Sequence, residues 1–406
     1  MTRNSLREKE LKNPIGVIPK EWGVVRLEDV TQINAGQTAP QGKDYFENGK
    51  FPFVRVKHLN NLYRGGHVAD FDLINEKAIS ENKLKLYPKG SIIFPKSGES
   101  IRLERRAILD RDSYVVNHLC VLIPDKEKID DKFLFYYLTH IKISELLTQT
   151  TTPSINLSQI KEIKVSRPSL PEQRKIASIL STVDEAIQKT EEIIQKTQKL
   201  KRSLMQQLLT KGIGHKKFKR TEIGEIPEEW DIETLGETAT LQRGFDLPVQ
   251  SMKDGDYPVM ASNGIIGFHS EFKVKGPGVT VGRSGAVGEV HYIEHDFWPH
   301  NTALFVKDFH ENNPKFVYYF LQKLRLQRFS AYTGVPTLNR NFIHPIKVAV
   351  PKLNEQHKIA SILSGVDEKI EKEKQRKEQL EKLKKGLMQD LLTGKKRVRP
   401  NCTRGT

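Results

Sequence analysis

The chain has 406 residues, of which 37% are hydrophobic and 29% are charged. This length exceeds a single typical core, and this composition is that of a globular protein, so a largely disordered chain is excluded and about two to three domains are expected. The formal net charge of +16 favours a polyanionic partner such as nucleic acid, because lysine and arginine bind phosphates with release of counterions.

The sequence also indicates where the protein is located and which kinds of site it is not expected to contain. No apolar run approaches the roughly 18 residues of a membrane span, and the N-terminus lacks the apolar centre of a signal peptide, so we expect a cytoplasmic protein that makes no membrane contact. The two cysteines, Cys120 and Cys402, are far apart and lie in no metal-binding spacing. We therefore expect neither a disulfide framework nor a metal site.

The positive charge is unevenly distributed along the chain. Residues 1–167 contain 27 lysines and arginines against 21 acidic residues, whereas residues 213–350 contain 16 of each. Any contact of the second region with a polyanion must therefore depend on local clusters of basic side chains rather than on its overall charge.

Two copies of the same motifs follow one another along the chain. IGVIPKEW at Ile15–Trp22 returns as IGEIPEEW at Ile223–Trp230, with six of eight positions identical. EQRKIASILSTVDEAI at Glu172–Ile187 returns as EQHKIASILSGVDEKI at Glu355–Ile370, with thirteen of sixteen identical at an offset of 183 residues. Because the stretches between these motifs diverge, the duplication predicts one scaffold that carries two different binding surfaces.

The divergent inserts, residues 31–131 and 239–314, are predicted to form mixed α/β domains. Short apolar runs such as FPFVRV and GVTVGR alternate there with turn residues, which is typical of strands. The segments KFLFYYL at Lys132 and KFVYYFL at Lys315 follow, with aromatic residues on one face of a predicted helix. We expect four of these aromatic side chains to lie in the core rather than to stack on bases: Tyr136, Tyr137, Tyr319 and Phe320.

A heptad pattern follows each insert, from about Pro171 to Lys211 and from about Asn354 to Thr393. Apolar residues recur there at alternating spacings of four and three, which predicts two long helices paired as a coiled coil. Polar residues interrupt the seam, and such residues favour one defined partner and register. The alternative is two helices that pack separately onto their own domains. The predicted pairing residues are Ile176, Leu180, Val183, Ile187, Leu204, Leu208, Ile359, Leu363, Val366, Ile370, Leu387 and Leu391.

The chain resembles the specificity subunit of type I restriction-modification systems over nearly its whole length. The resemblance rests on the IP.EW motifs that begin at Ile18 and Ile226, on the elements around Asn156 and Asn339, and on the repeated EQ.KIASIL..VDE.I helix openings. It implies an α+β protein in which two mixed α/β target recognition domains are joined and spaced by two long antiparallel coiled-coil helices, with pseudo-two-fold symmetry. Each domain is expected to read one half of an asymmetric, bipartite site in double-stranded DNA.

The resemblance also supplies expected domain limits, partners and cofactors. Two methyltransferase subunits are expected to dock on the helices, and a helicase-nuclease subunit to join for restriction. This chain is expected to bind no cofactor, whereas the partners of such an adenine methyltransferase complex are expected to use S-adenosylmethionine, ATP and Mg²⁺. The expected segments are target recognition domains at residues 1–167 and 213–350, conserved helices at 168–212 and 351–394, and a basic tail at 395–406.

The sequence lacks the motifs that the chemistry of such a complex requires. There is no Asn/Asp-Pro-Pro-aromatic loop of an amino-methyltransferase and no P-loop, since GVTVGRSG has the wrong spacing and places Arg283 where lysine is required. PDKEK at Pro124–Lys128 resembles an acidic nuclease cluster only faintly and is interpreted as a solvated turn. We therefore expect a chain without a catalytic site that directs partner enzymes to DNA.

Two loops that combine a basic residue with serine and glycine are the main candidates for DNA binding. They are KSGES at residues 96–100 and GRSGAVG at 282–288, where backbone amides and a cationic side chain could approach a phosphate. Arginine can also read guanine in the major groove. The alternatives are ordinary turns and solvent-exposed charges. The predicted DNA-binding residues are Lys96, Ser97, Arg102, Arg105, Arg106, Asn156, Lys275, Arg283, Ser284, Lys323, Arg325, Arg328, Thr333, Asn339 and Arg340.

Two other functions are compatible with the same patterns. A stand-alone tandem DNA-binding or architectural protein would use the same basic surfaces, but it would not copurify with a methyltransferase. An enzyme with an unrecognised nuclease site would cleave DNA in a metal-dependent assay of the isolated chain. The missing catalytic motifs argue against the second of these alternatives.

Overall fold

A computed structural model of the chain describes residues 16, 18–60, 62–63, 66–147, 153–330 and 336–398. The chain divides into two compact units. Unit 1 consists of Met1–Glu192 with Lys374–Thr406, and unit 2 consists of Ile193–Glu373. In the part of the chain that the structure describes, no helix combines the length and the apolar character needed to cross a membrane.

The described residues of unit 1 form three sheets together with several α-helices. The helices are α1 (Leu27–Val30), α2 (Glu76–Glu81), α3 (Asp131–His140), α4 (Leu157–Lys161) and the first part of α5 (Leu170–Lys211). The strands are β1 (Gly23–Arg26), β2 (Thr31–Ala35), β3 (Phe51–Val54), β4 (Leu62–Tyr63), β5 (His67–Val68), β6 (Asp72–Ile74), β7 (Ile92–Pro95), β8 (Ala107–Ile108), β9 (Tyr114–Val115), β10 (Leu119–Pro124) and β11 (Lys164–Arg167).

The largest sheet of unit 1 has six strands in the order β2-β10-β7-β8-β5-β4, beside a three-stranded sheet, β6-β3-β9, and the pair β1-β11. Its central strands are apolar on both faces. Ile92 and Leu122 pack into the core around α3, whereas Ile93 and Val121 pack into a second core with the three-stranded sheet. Burial on both sides explains why these strands are continuous apolar runs rather than alternating ones.

Unit 2 repeats this plan. Its strands are β12 (Phe218–Thr221), β13 (Gly224–Pro227), β14 (Asp231–Thr234), β15 (Thr240–Arg243), β16 (Tyr257–Ala261), β17 (Gly264–His269), β18 (Gly278–Gly282), β19 (Val290–Ile293), β20 (Trp298–Pro299), β21 (Ala303–Asp308) and β22 (Lys347–Val350). Its helices, besides the end of α5, are α6 (Leu235–Thr238), α7 (Pro314–Leu324), α8 (Arg340–Ile343) and the first part of α9 (Leu353–Leu392).

The strand connections of the two units correspond although the inserts diverge in sequence. The antiparallel order β2-β10-β7 of unit 1 matches β15-β21-β18 of unit 2. The parallel pair β3-β9 matches β16-β20, and the closing pair β1-β11 matches β14-β22. The structure therefore confirms the predicted duplication of a mixed α/β scaffold.

The aromatic segments form the predicted helices. In α3 the N-terminal amide of Phe133 donates to the Asp130 side chain at 3.0 Å, and in α7 the amide of Phe316 donates to Asn313 at 2.9 Å. These N-caps satisfy backbone donors that the first turn leaves unpaired. The aromatic residues predicted to lie in the core, Tyr136, Tyr137, Tyr319 and Phe320, are all buried, which confirms that prediction.

The two long helices have the predicted limits to within one residue, and α5 and α9 contain 42 and 40 residues. In unit 1 the start of α5 packs against the end of α9, with Ile176 and Leu391 in one core. In unit 2 the end of α5 packs against the start of α9, with Leu208 and Ile359 in one core. Eight of the twelve predicted pairing residues are buried; Ile187, Leu204, Val366 and Leu387 are partly buried.

Polar contacts show that the helices run antiparallel in unit 1. Lys384 of α9 contacts Asp184 of α5 at 2.5 Å, and Lys377, one heptad earlier in α9, contacts Glu191, one heptad later in α5, at 2.7 Å. Residue numbers thus rise along one helix and fall along the other.

Each unit contains the same polar triad at the helix seam. In unit 1, Asp184 accepts a hydrogen bond of 2.7 Å from the Tyr136 hydroxyl and pairs with Lys384. In unit 2, Asp367 accepts a 2.7 Å hydrogen bond from Tyr319, and Lys201 lies 2.7 Å from its carboxylate. Burial and the neighbouring carboxylate raise the pKa of Tyr136 above its usual value, so this hydroxyl remains a donor. The triads account for Lys201 and Lys384 at the helix seam, and Lys377 pairs instead with Glu191.

Candidate nucleic-acid interface

Five loop segments meet at one end of the sheets of unit 2: residues 243–248, 262–263, 283–288, 300–302 and 336–340. We call this surface loop end 2. Hydrogen bonds join the segments. The amide of Gly244 donates to Ala303, next to Thr302, and the amide of Leu338 donates to Arg283 at 2.8 Å. The Thr302 carbonyl accepts from the Ser284 amide, and the Thr302 side chain accepts from the Ser262 amide. The predicted GRSGAVG loop therefore lies beside the predicted Asn339 segment.

Two glycines permit this close packing. A Cβ at Gly244 would lie 2.2 Å from the carbonyl oxygen of His300, and one at Gly282 would lie 1.9 Å from that of Ala286. Both neighbours are backbone atoms, so a larger residue at Gly244 would force two loops apart and one at Gly282 would distort the GRSGAVG loop itself.

A polar cleft of about 660 Å³ lies at loop end 2, with Arg243, Arg283 and Arg340 in its wall. The Arg283 guanidinium donates through Nη1 to the Asn301 carbonyl at 3.3 Å. Asn339, also in the wall, accepts a hydrogen bond from the Asn341 amide at 3.0 Å and so caps α8. Three guanidinium groups around one cleft give the local basic cluster that this region of zero net charge requires for a polyanion.

An equivalent surface, loop end 1, occurs in unit 1 and consists of residues 35–37, 96–99, 117–118 and 153–156. The Lys96 carbonyl accepts from the Ile155 amide at 2.9 Å, as Arg283 does from Leu338 in unit 2. Ser97 Oγ lies 2.7 Å from Nδ1 of His118. Asn156, predicted to bind DNA, is the N-cap of α4 and forms a capping box with Gln159. Lys96, Ser97 and Asn156 therefore lie on one surface.

One predicted residue of unit 1 is corrected by the structure. Arg106 is only 4% exposed, and its guanidinium contacts the Glu104 carboxylate and donates to the Ile141 carbonyl at 2.9 Å. Burial lowers the pKa of this arginine, and Glu104 opposes that effect. The side chain holds the turn after α3 in place, so it is not available to DNA. Its neighbours Arg102 and Arg105 are more accessible: Arg102 pairs with Glu99 at 3.0 Å, and Arg105 bonds to Asn60.

The remaining candidates of unit 2 lie outside its arginine cleft. Lys275 is exposed before the start of β18, whereas Arg283 follows the end of this strand. Lys323 and Arg328 line a separate cleft of about 400 Å³ beside Phe320, and burial lowers the pKa of Lys323.

Of the last two candidates, Arg325 is among the residues that the structure describes and Thr333 is not. Arg325 follows the last residue of α7 in a left-handed conformation and is exposed. Thr333 lies outside the described residues.

The PDKEK segment, interpreted from the sequence as a solvated turn, lies between β10 and α3. It contains an exposed Asp125–Lys128 ion pair at 3.1 Å.

The sequence does not point to two polar residues of loop end 2, Arg243 and Asp246, or to a polar cluster of unit 1 that lies outside loop end 1. Arg243 pairs with Asp246 at 3.0 Å, and Asp246 also accepts a hydrogen bond from the Asn301 side chain. In unit 1, Asp72 lies 2.6 Å from Arg55 and 2.8 Å from Lys57, in the segments that follow and face β3. The one sequence signal for Arg243 is the glycine that follows both β2 and β15, and the residues around these two glycines differ.

The two loop ends present different side chains at corresponding positions. Arg283 corresponds to Lys96, because each precedes the Ser-Gly pair and accepts the same backbone hydrogen bond. Arg243 corresponds to Ala35, since each ends a strand before the glycine that bonds to the central strand. Arg340 corresponds to Leu157, the first residue of α4. One scaffold thus carries three arginines at one loop end and a single lysine at the equivalent positions of the other.

Comparison with known proteins shows the family. A family model described as the type I restriction modification DNA specificity domain matches residues 19–199 and 227–382. The chain is 29% identical to the type I restriction enzyme MjaVIII specificity subunit of Methanocaldococcus jannaschii, over 97% of each chain, and 23% identical to the EcoprrI specificity subunit of Escherichia coli, over 86% of this chain and 87% of that protein.

A solved structure gives the same result for the fold. The S subunit of a type I restriction-modification system from M. genitalium matches 93% of this chain and 98% of its own with a TM-score of 0.63, at 20% identity. Because the family model matches two segments that together span most of the sequence, the chain belongs to the DNA specificity subunits of type I restriction-modification systems.

Proposed function

We propose that this non-catalytic specificity subunit reads an asymmetric, bipartite DNA sequence, with loop end 1 contacting one half-site and loop end 2 the other. The main support for this proposal is that the two equivalent loop ends carry different side chains. Loop end 2 has Arg243, Arg283 and Arg340, whereas loop end 1 has Lys96 at the equivalent positions. One scaffold with two unlike surfaces is suited to two unlike half-sites, because base identity is read by side chains while the backbone fixes their position.

The proposal extends to the partners. We infer that the long helices α5 and α9 dock two methyltransferase subunits, and that a helicase-nuclease subunit joins the complex for restriction. The outer faces of these helices support this role, since exposed apolar residues such as Leu200, Ile362 and Leu383 interrupt their charged surface. S-adenosylmethionine, ATP and Mg²⁺ would then be bound by the partners.

Exchange of one insert tests the bipartite function. Residues 31–131 would be replaced by the equivalent segment of another family member, and the complex with its methyltransferase would be expressed in a host whose methylated sequences are then determined. We expect one half of the methylated sequence to change and the other half to stay the same, because each loop end is built within its own unit.

The matched control exchanges residues 239–314 and is expected to change the other half only. A change of both halves by either exchange would contradict independent recognition. Copurification of the methyltransferase with both exchanged chains would show that the helices are intact.

A single substitution at loop end 2 tests the arginine cleft. Arg283→Ala is expected to weaken binding to the recognised sequence by about 1–3 kcal/mol if the guanidinium reads a base. A contact to phosphate alone would lower affinity for all sequences and reduce the slope of log affinity against log salt by about one. Binding would be titrated at several salt concentrations.

Arg220→Ala is the control for that substitution, because it removes an equal charge from an exposed position on β12. If Arg283→Ala and Arg220→Ala bind every DNA with the affinity of the unsubstituted protein, the GRSGAVG segment is an ordinary turn.

A further inference from the structure

We propose that Asp246 is a base-reading residue of loop end 2 and that its carboxylate accepts a hydrogen bond from the amino group of a cytosine in the second half-site. The inference rests on the proposed function, because it assigns a role within the same DNA interface.

Asp246 lies beside an arginine of the cleft wall. Its two carboxylate oxygens lie 3.0 and 3.3 Å from Nη2 of Arg243, a residue of the cleft wall. The Asn301 side chain donates to the same carboxylate, and the Asn301 carbonyl accepts from Arg283. The carboxylate is therefore connected to two cleft arginines, while its side chain remains 67% exposed. Four lone-pair sites on two oxygens leave room for a further donor.

Asp246 places a negative charge within a surface that is otherwise basic. Within the five segments of loop end 2 it is the one carboxylate, among three arginines. A carboxylate that approaches a phosphate-rich surface is repelled, so its presence there weakens binding to DNA in general. The same group strengthens binding where a DNA donor reaches it. It therefore acts on selectivity, by attraction to one base and repulsion from others.

The chemistry of base edges identifies the donor. In the major groove, acidic side chains accept from the N4 amino group of cytosine, whereas adenine is read by the paired donor and acceptor of Asn or Gln. Thymine O4 and guanine O6 are acceptors and would repel the carboxylate. The neighbouring Arg243 supplies donors that the guanine partner accepts through O6 and N7. Asp246 and Arg243 together thus complement one C·G base pair.

Unit 1 lacks this pair of side chains. The residues that correspond to Arg243 and Asp246, counted from the shared glycine after β2 and β15, are Ala35 and Thr38. The proposed cytosine contact is consequently confined to the half-site that loop end 2 reads.

The test uses the full chain in complex with its methyltransferase. Asp246→Ala and Asp246→Asn would be compared with the unsubstituted protein by sequencing methylated sites throughout the DNA of the host. For Asp246→Ala we expect selectivity for cytosine at one position of the second half-site to fall about tenfold or more, with the first half unchanged. For Asp246→Asn we expect adenine to be accepted at that position, since an amide pairs with adenine.

Asp254→Ala is the matched control, because it removes an equal charge from an exposed position of the same unit outside loop end 2. It should leave the methylated sequence unchanged. A second measurement is the affinity for DNA without the recognised site, which should rise for Asp246→Ala because a repulsive charge is lost.

The outcomes separate this proposal from the one on which it rests. If the unsubstituted complex methylates no bipartite sequence, the proposed function fails and the assignment of Asp246 fails with it. If it does methylate one, and Asp246→Ala leaves every position as selective as before or weakens all sequences equally, only the assignment of Asp246 is wrong. Thermal midpoints equal to that of the unsubstituted chain would show that the variants fold.

Discussion

Replacement of Asp184 by alanine is expected to destabilise unit 1 by about 3 kcal/mol, because it leaves the ammonium group of Lys384 without its partner in a partly buried seam. The side chain of Asp184 is 9% exposed and that of Lys384 is 26% exposed. The Tyr136 hydroxyl also loses its acceptor. For a unit of this size, the loss corresponds to a decrease of about 6 to 12 °C in the midpoint of thermal unfolding.

The measurement is the thermal midpoint of the full chain, together with hydrogen exchange of the α5 amides around residue 184. Glu185→Ala is the control, since Glu185 is the exposed neighbour on the same helix. The double variant Asp184→Leu, Lys384→Leu should recover most of the stability, because an apolar pair replaces the charged pair without leaving a buried charge. Equal midpoints for Asp184→Ala and Glu185→Ala would show that the triad contributes nothing.

The helices were the most predictable part of the molecule. A heptad pattern that persists for some 40 residues has few competing structures, and it placed α5 and α9 within one residue of their limits. The same pattern indicated that the polar seam residues select a partner. Their own partners could not be predicted, because Asp184 and Lys384 are 200 positions apart and Tyr136 comes from a different element.

The loop ends were only partly predictable, for a physical reason. Spacing along the chain indicates which residues share a loop, but it does not show which side chains fold inward. Arg102, Arg105 and Arg106 form one basic run in the sequence, yet Arg106 is buried against Glu104 while Arg102 is exposed. Conversely, Arg243 and Asp246 gain significance only when the fold brings Asn301 and Arg283 beside them.

A fragment that ends near Lys211 is expected to form a symmetric dimer. It retains the first α/β domain and the whole of α5, but the apolar seam of α5 loses α9 and would be exposed to water. Burial of such a surface is favourable by about 25 cal/mol per Å², so the helix should pair with a second copy of itself.

The two helices are similar enough for a second copy of α5 to take the place of α9. Ile176, Leu180 and Val183 have the counterparts Ile359, Leu363 and Val366 at the offset of 183 residues. At the same offset, Lys384 corresponds to Lys201 and Asp367 to Asp184. In an antiparallel pair of α5 helices, Asp184 of each copy therefore meets Lys201 of the other, and both polar triads can form again.

A second α5 helix does not reproduce every contact that α9 makes in the full chain. Lys377, which pairs with Glu191 in the full chain, corresponds to Ile194 in α5, so this ion pair is absent from the dimer. Because exposed and partly exposed ion pairs contribute about 1 kcal/mol or less, we expect the dimer to survive its loss.

The functional consequence follows from symmetry. A dimer with a two-fold axis presents loop end 1 twice in inverted orientation, so with the methyltransferase it should modify a palindrome built from the first half-site alone. Light scattering at tens of micromolar and sequencing of the methylated sites are the two measurements. A folded monomer at that concentration would contradict the shared seam, and an asymmetric methylated site would contradict the division of the recognised sequence between the two loop ends.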